Sequence, residues 1–380
     1  MRVIILVPGL QKNLEEIKGG VHSALKNLLH GFSNQDIYIR VLSFTNEVKT
    51  ETLIQYSSKI EIIYVPEGPF PFHSLNYLFL GPFILKKHIR TFNPDIIHYQ
   101  TGNSFMFTRL LGLIGRKYLL TIHGMASEEA KRKKKIIDKI TWRFNALIHL
   151  LMKPENVIHL SRFSKNKHIE TKKSKDIIIP NAVVPAFFNV PLKNKTENKL
   201  LYIGIIDNNK NIIFLLNNLK RIIENNKPFT LEVLGDFSNA EMKKYILNFV
   251  TENNLTKYVH FNGWVNQTEA IKFITDADIL VVSSKHESLP MVIAESMSAG
   301  KVVVASDVGG IPEMIDDETD GFLFNLNEPN ELFSKLDKLY NNFDLITVIS
   351  KNAKETAFKK YWSENVAKKT IEFYKECVND

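Results

Sequence analysis

A chain of 380 residues exceeds what one hydrophobic core usually supports, so two domains are expected. The composition is that of an ordinary soluble protein: no uninterrupted apolar stretch approaches the ~18–20 residues that span a bilayer, and the single cysteine, Cys377, excludes an internal disulfide or a cysteine metal cluster and fits the reducing cytoplasm. The net charge of +8 is unevenly placed, with 27 Lys+Arg against 14 Asp+Glu in residues 1–190 and 22 against 27 in residues 191–380, so the first half either faces something anionic or carries a solvated basic face.

Short apolar runs alternate with helix-length amphipathic segments throughout, the pattern of parallel βα units. The opening Met-Arg-Val-Ile-Ile-Leu-Val-Pro-Gly has no small-residue cleavage signal after it and reads as a first strand, Val3–Val7. Gly19-Gly20-Val21-His22 follows an unusual loop and opens a helix carrying Leu25, Leu28 and Leu29; paired glycines there either leave amides open to phosphate or make a plain turn. Further strands are expected at Tyr38–Phe44, Ile60–Val65, Asp95–Tyr99, Tyr118–Ile122, Val157–Leu160 and Ile177–Ile179. His98 ends one of these and is assigned to packing, and His159 lies inside another and is assigned to the core. His123-Gly124 ends the strand Tyr118–Ile122 at the carboxyl edge, where a histidine can meet a substrate hydroxyl or stabilise developing charge. The run Lys131-Arg132-Lys133-Lys134-Lys135 leads into Ile136, Ile137, Ile140 and Phe144 at helical spacing: a surface for anionic lipid, with Leu75 to Leu85 as a second apolar contact, or a core helix with a solvated end.

Pro180-Asn181-Ala182-Val183-Val184-Pro185, Pro191 and the polar Lys193–Asn198 read as a linker, after which the strand series begins again at Leu200–Ile203, Phe229–Leu234, Val259–Phe261, Ile279–Val282, Val302–Ala305 and Phe322–Phe324. Lys210 opens a helix after Gly204-Ile205-Ile206-Asp207, and a lysine there adds charge to the helix dipole at a phosphate site. Gly263-Trp264 and Gly309-Gly310 fall in loops at the same edge, where the first can frame a base and the second approach a sugar, or each makes a plain turn. Asp276-Ala277-Asp278 precedes its strand and lies at the wrong end for a metal-binding acid pair, so no metal is expected. The most informative stretch is His286–Glu295. Pro290 suits a first helical turn, the amides after it can receive an anion, and Glu287 and Glu295 supply acceptor-only oxygens for hydroxyls on either side. A phosphate site flanked by two hydroxyl-binding acids describes a nucleotide-sugar pocket. Neither a dehydrogenase glycine fingerprint, a P-loop, a nucleophile elbow nor zinc spacing occurs. The segment from about Ser363 to Val378 is amphipathic and able to cap either domain.

Ala277–Ser284, Glu287, Glu295, Met297, Gly300, Val302–Ala305, Asp307, Gly309-Gly310, Pro312-Glu313 and Gly321–Leu323 closely resemble the retaining GT-B glycosyltransferases of family four, the glycosyl transferases group 1. Weaker matches follow in order over the whole chain: Gly19-Gly20, Asp95–His98, Thr121–Gly124, Ile179–Asn181, Gly204 with Lys210, Gly263-Trp264, and a closing aromatic-rich helix after Trp362. The resemblance implies an α/β GT-B fold of two Rossmann-like parallel-sheet domains facing a cleft. Residues 1–188 would form the acceptor-side domain and 189–362 the nucleotide-sugar-binding domain, with a helix over 363–380 returning to the first. It implies catalytic roles for His123 and Glu287, and a donor-binding set of Gly20, Gly204, Lys210, Gly263, Trp264, Leu289, Pro290, Met291 and Glu295. Glu295 would hold the ribose, Lys210 and the amides of Leu289–Met291 the diphosphate, and Glu287 the transferred sugar, while His123 and Gly20 approach from the acceptor side.

Two departures stand out. The family commonly has an arginine after the glycine corresponding to Gly204, where this chain has Ile205, and Lys285 or Arg162 are the candidate substitutes; its Asn-Gly after the first domain is here Asn181-Ala182. The reading is a cytoplasmic, peripheral-membrane, metal-independent hexosyltransferase without cofactor or nucleic-acid partner. It uses a nucleoside-diphosphate sugar, UDP-sugar favoured, and a cell-surface glycan or lipid-linked acceptor, with Lys131–Lys135 facing an anionic membrane. A nucleotide-sugar epimerase on the same fold and a catalytically weak sugar-nucleotide-binding protein are the alternatives.

Overall fold

Strands buried on both faces read as near-continuous hydrophobic runs, and these runs pair in parallel sheets with helices packed against them. The computed structural model describes residues 1–67, 73–100, 117–123, 154–167 and 174–379, with the backbone alone for 73–80. Lys131–Lys135, the stripe after it, Gly124 and residues 75–80 of the second apolar contact's side chains lie outside that description. The described chain divides into two units, Met1–Ala182 with Ser363–Asp380, and Val183–Trp362.

The first unit is built on β1 (Arg2–Leu6), β2 (Tyr38–Thr45), β3 (Thr52–Ser57), β4 (Ile60–Pro66), β5 (Ile96–Tyr99), β6 (Lys117–Ile122), β7 (Asn156–His159) and β8 (Lys175–Ile178). Their order is β3-β4-β2-β1-β5-β6-β7-β8, and β3 alone among them runs antiparallel to its neighbour. No apolar run announces β3, because an edge strand with Leu53 and Gln55 turned outward buries too little to need one. The helix Gly20–Ser33 crosses the C-terminal helix Ser363–Asn379, whose Val366, Ala367, Phe373, Tyr374 and Cys377 complete the core formed with Leu25, Leu29 and Phe32. Gly31 makes the crossing possible: a Cβ there would lie 2.2 Å from the Ser363 carbonyl oxygen. Asn27 Nδ2 then donates to the Ala182 carbonyl at 2.9 Å, tying down the end of the first unit's long segment.

In the second unit, β9 (Lys199–Ile203), β10 (Thr230–Leu234), β11 (Val259–Gly263), β12 (Ile279–Val282), β13 (Val302–Ser306) and β14 (Phe322–Phe324) form an all-parallel sheet in the order β11-β10-β9-β12-β13-β14. This is the dinucleotide-fold order, with its reversal between β9 and β12 and therefore a crevice at their carboxyl ends. The helix Ile212–Glu224 follows β9 and buries Ile212, Leu215, Leu216, Leu219 and Ile222, each at about 1.5–3 kcal/mol, so its start is held rigidly beside that crevice. Lys193–Asn198, read as linker, is pinned inside this unit. Asp278 Oδ2 accepts from the Glu197 and Lys199 amides at 2.8 and 3.0 Å and from the Thr196 hydroxyl at 3.2 Å, while Lys193 Nζ stands 2.8 Å from Oδ1. Asp278 is thus a structural acid at the amino end of β12.

Candidate functional site

The loops after β9 and β12 meet at the reversal point and are stitched together. Asp207 Oδ1 accepts the amides of Asn209 and Lys210 at 2.9 and 2.7 Å, a side-chain turn that swings the backbone into the helix at Ile212. Lys285 N donates to Asn209 O at 2.7 Å and Asn209 Nδ2 to His286 O at 3.1 Å; Ser283 Oγ is 3.1 Å from the carbonyls of both Lys210 and Asn211. The side chains these loops carry close on one another, Lys210 Nζ lying 2.6 Å from Glu287 Oε1 with both groups half-buried. Removing one partner leaves the other charge in a partly desolvated crevice, so the pair is poised to exchange its internal contact for a ligand's charges. Gly204 borders the same space, its α-carbon facing the Lys210 methylenes, and its amide donates to Leu234 O at 2.9 Å.

Glu287 is fixed from a third loop. Gly310 N donates to Glu287 O at 3.1 Å, and Gly309 has φ +61 with a position where a Cβ would be 1.8 Å from that same carbonyl. Gly309-Gly310 seats the loop that presents Glu287.

Pro290 lies one residue earlier in its helix than the sequence suggested, as the residue preceding Met291–Ser298, with φ −69 and ψ 123. That helix has no side-chain cap, so its first amides keep their capacity to bind an anion. Leu289 and Met291 pack on the core beneath and orient this start. Glu295 stands just over one turn inside. Burial pushes its carboxyl up to about 7, against the opposing hydrogen bond from Gln267. Gln267 begins the helix after β11, which the reciprocal Asn266/Glu269 capping box starts. Gly263 ends β11, its carbonyl accepting from Gly235 N at 2.7 Å, and Trp264 N donates to Asp236 Oδ1 at 3.2 Å. Ile205 is 59% exposed beside Gly204, and its carbonyl accepts from the Tyr202 hydroxyl at 3.2 Å. Lys285 is exposed two residues before Glu287 in the same unit, whereas Arg162 belongs to the other.

His123 and Gly20 belong to the first unit. Gly20 is the first residue of its helix, after Gly19 at φ +101, and a Cβ at either glycine would meet nothing within 4 Å. His123 follows β6 directly. Its Nε2 is 2.7 Å from Gln100 Oε1, and burial together with the neighbouring His22 holds it down to about 4, so the ring is neutral at ordinary pH. His98, assigned to packing, is indeed 1% exposed, yet both of its nitrogens are bonded, to Tyr374 and Thr121 at 2.6 Å each. Asp207, Asn209, Ser283, Gln267 and Gln100 escaped the sequence reading. The Asp-Asn-Asn of residues 207–209 is a turn signal that could have found the first two; the others depend on which strands become neighbours.

Residues 183–356 match the family described as Glycosyl transferases group 1, and residues 18–187 match Glycosyltransferase Family 4. The chain is 28% identical over 351 residues, 92% of each chain, to an uncharacterized glycosyltransferase of Methanocaldococcus jannaschii. It is 27% identical over 289 residues, 71% of this chain and 72% of the relative, to the UDP-Gal:alpha-D-GlcNAc-diphosphoundecaprenol alpha-1,3-galactosyltransferase of Escherichia coli. Among solved structures, sucrose-phosphate synthase from Thermosynechococcus elongatus superposes with a TM-score of 0.82 at 19% identity, covering 99% of this chain and 98% of that one.

Proposed function

From the premise that this chain belongs to the GT-B glycosyltransferases of family four, we propose that it moves a hexose-type sugar from a UDP-sugar to a cell-surface glycan or lipid-linked acceptor, with retention at the anomeric carbon. The observation that carries this reading is the Lys210–Glu287 ion pair at 2.6 Å on the reversal point of the second sheet, a cation for a diphosphate and an acid for a sugar hydroxyl held by stitched loops. Lys210 and the backbone N–H groups of Leu289 and Met291 meet the diphosphate. Glu295 takes the ribose hydroxyls, and Glu287 orients the sugar. Gly204 lets the diphosphate approach the backbone, Gly263-Trp264 borders the base, and His123 and Gly20 serve the acceptor side.

In the step itself the bond from the anomeric carbon to the diphosphate oxygen breaks while the acceptor oxygen bonds the same face. The acceptor's proton passes to the departing phosphate oxygen. Protein charge and dipoles stabilise that leaving group, with no metal required, and their preorganisation in a sheltered site is the main source of acceleration. The uridine nucleotide and the lipid-linked acceptor are supported by the galactosyltransferase relative's name. Peripheral attachment to the inner membrane face, through the basic run, belongs to the same proposal; among the described residues no helix is long and apolar enough to cross a membrane.

The exposed Ile205 favours a second reading, a sugar-nucleotide-binding protein with slow turnover, since a bidentate guanidinium there would contribute strongly to charge stabilisation. Incubation with UDP-, GDP- and ADP-hexoses and a lipid-linked glycan acceptor, followed by mass spectrometry, separates the readings. Transfer that Glu287→Ala abolishes supports the transferase, binding without turnover supports the second reading, and interconversion of free donor would point to an epimerase.

A further inference from the structure

At the carboxyl edge of the first sheet, four side chains form a hydrogen-bonded chain running from His123 to the C-terminal helix. Gln100 Oε1 faces His123 Nε2 at 2.7 Å, and Gln100 Nε2 faces His98 Nε2 at 3.2 Å. His98 Nε2 also lies 2.6 Å from the Thr121 hydroxyl, and His98 Nδ1 lies 2.6 Å from the Tyr374 hydroxyl. A primary amide is polar in one direction, its oxygen only accepting and its nitrogen only donating. An oxygen opposite His123 Nε2 requires that nitrogen to carry the proton. An NH2 opposite His98 Nε2 requires a lone pair there, which the Thr121 hydroxyl also addresses, so the His98 proton resides on Nδ1 and points at Tyr374.

We infer that Gln100 is a positioning residue that holds His123 in the Nε2–H tautomer, leaving its Nδ1 as an acceptor for a hydroxyl of the sugar substrate. The inference rests on the reading of His123 given above and adds what sets its proton. Among the described residues Nδ1 has no partner, and His123 is partly open and borders a small pocket that Gln100, Thr121 and Asn181 also line. Burial keeps both rings neutral, His98 held down to about 3 and His123 to about 4, so neither turns into a double donor at neutral pH. With the amide reversed, His123 would present an N–H outward, a group suited to an anion. One amide therefore decides whether this histidine greets a hydroxyl or a phosphate.

The test is a long-range 1H–15N correlation spectrum of the full chain labelled at its eleven histidines, with His98→Gln and His123→Gln assigning the signals. The expected result is Nε2–H at His123 and Nδ1–H at His98. Gln100→Leu is expected to scramble the His123 tautomer and lower kcat roughly tenfold, the worth of one oriented hydrogen bond, with the donor KM held within about twofold. Gln100→Glu keeps the acceptor and therefore keeps the His123 Nε2–H form. An active wild type showing Nδ1–H at His123, or a Gln100→Leu chain with tautomer and kcat unchanged, overturns the inference. A wild type without turnover on any donor overturns the functional reading instead. Because the wild-type spectrum alone reads the tautomer, a Gln100→Leu chain that failed to fold would not shield the inference from refutation.

Discussion

Lys210 and Glu287 have opposite relations to a diphosphate, and this predicts unequal consequences of removing them. Lys210→Ala deletes a cation that meets phosphate oxygens, so affinity for UDP should fall about 10- to 100-fold, the range for hydrogen bonds to charged groups. Glu287→Ala leaves Lys210 without its 2.6 Å counterion, so calorimetry should find UDP bound as tightly as by the wild type or more so, while sugar transfer is lost. UDP affinity within twofold of wild type in Lys210→Ala would refute the assignment. Glu295 makes a prediction of the opposite kind, on stability. Its carboxyl is raised to about 7, above the ordinary 4.5, so between those values the folded state holds a proton that the unfolded state has released. Stability is then present in full below about pH 4.5 and drains away as pH rises toward about 7. Glu295→Gln should be more stable than wild type at about pH 8, by up to about 3 kcal/mol and by less where solvent reaches the carboxyl, and the gap should close near pH 4.5. A gap independent of pH would exclude this cause. Lys210, Glu287 and Glu295 could be named as candidates from the sequence because each follows an unmistakable apolar strand. Gln100 could not, since its function arises from β5 and β6 lying side by side, which no spacing encodes.

At the level of elements, glycines separate close packing from ligand approach. Gly31→Ala would place a methyl 2.2 Å from the Ser363 carbonyl, and backbone cannot rotate out of the way as a side chain can, so the helices Gly20–Ser33 and Ser363–Asn379 must part. A cost of about 1–3 kcal/mol is expected, read as a lower denaturant midpoint at unchanged slope. Gly20→Ala meets nothing within 4 Å and should leave the midpoint in place while reducing transfer; a stability loss equal to that of Gly31→Ala would contradict the distinction. The strand series was readable because parallel strands covered on both faces must be apolar at nearly every position. β3 was hidden for the converse reason, and the polar segment Lys193–Asn198 looked like a linker because what anchors it is a single buried acid distant in sequence, Asp278, which accepts from the Thr196 hydroxyl and the Glu197 amide.

For the whole molecule, the chain leaves the first unit at Ala182 and returns to it at Ser363, so its last helix folds with its first. Ending the chain at Trp362 would uncover Leu29 and Phe32 and remove Tyr374, all from the first unit's core. Such a truncation should unfold Met1–Ala182 preferentially while Val183–Trp362 still binds UDP; loss of UDP binding with that unit's fold intact, as judged by its own melting transition, would contradict the division of labour. The two-unit α/β architecture was visible in a strand series that begins twice, whereas the return of the final helix followed only from the family resemblance, because its amphipathic pattern suits either unit. If the crevice between β9 and β12 is a nucleotide-sugar site, the intact chain should be stabilised in a thermal-shift panel of UDP-, GDP- and ADP-hexoses. A UDP-hexose near a hundred times its Kd should raise stability by about 2.7 kcal/mol, and Lys210→Ala should lose most of this gain. No shift with any nucleotide sugar, or an equal shift in Lys210→Ala, would contradict that assignment.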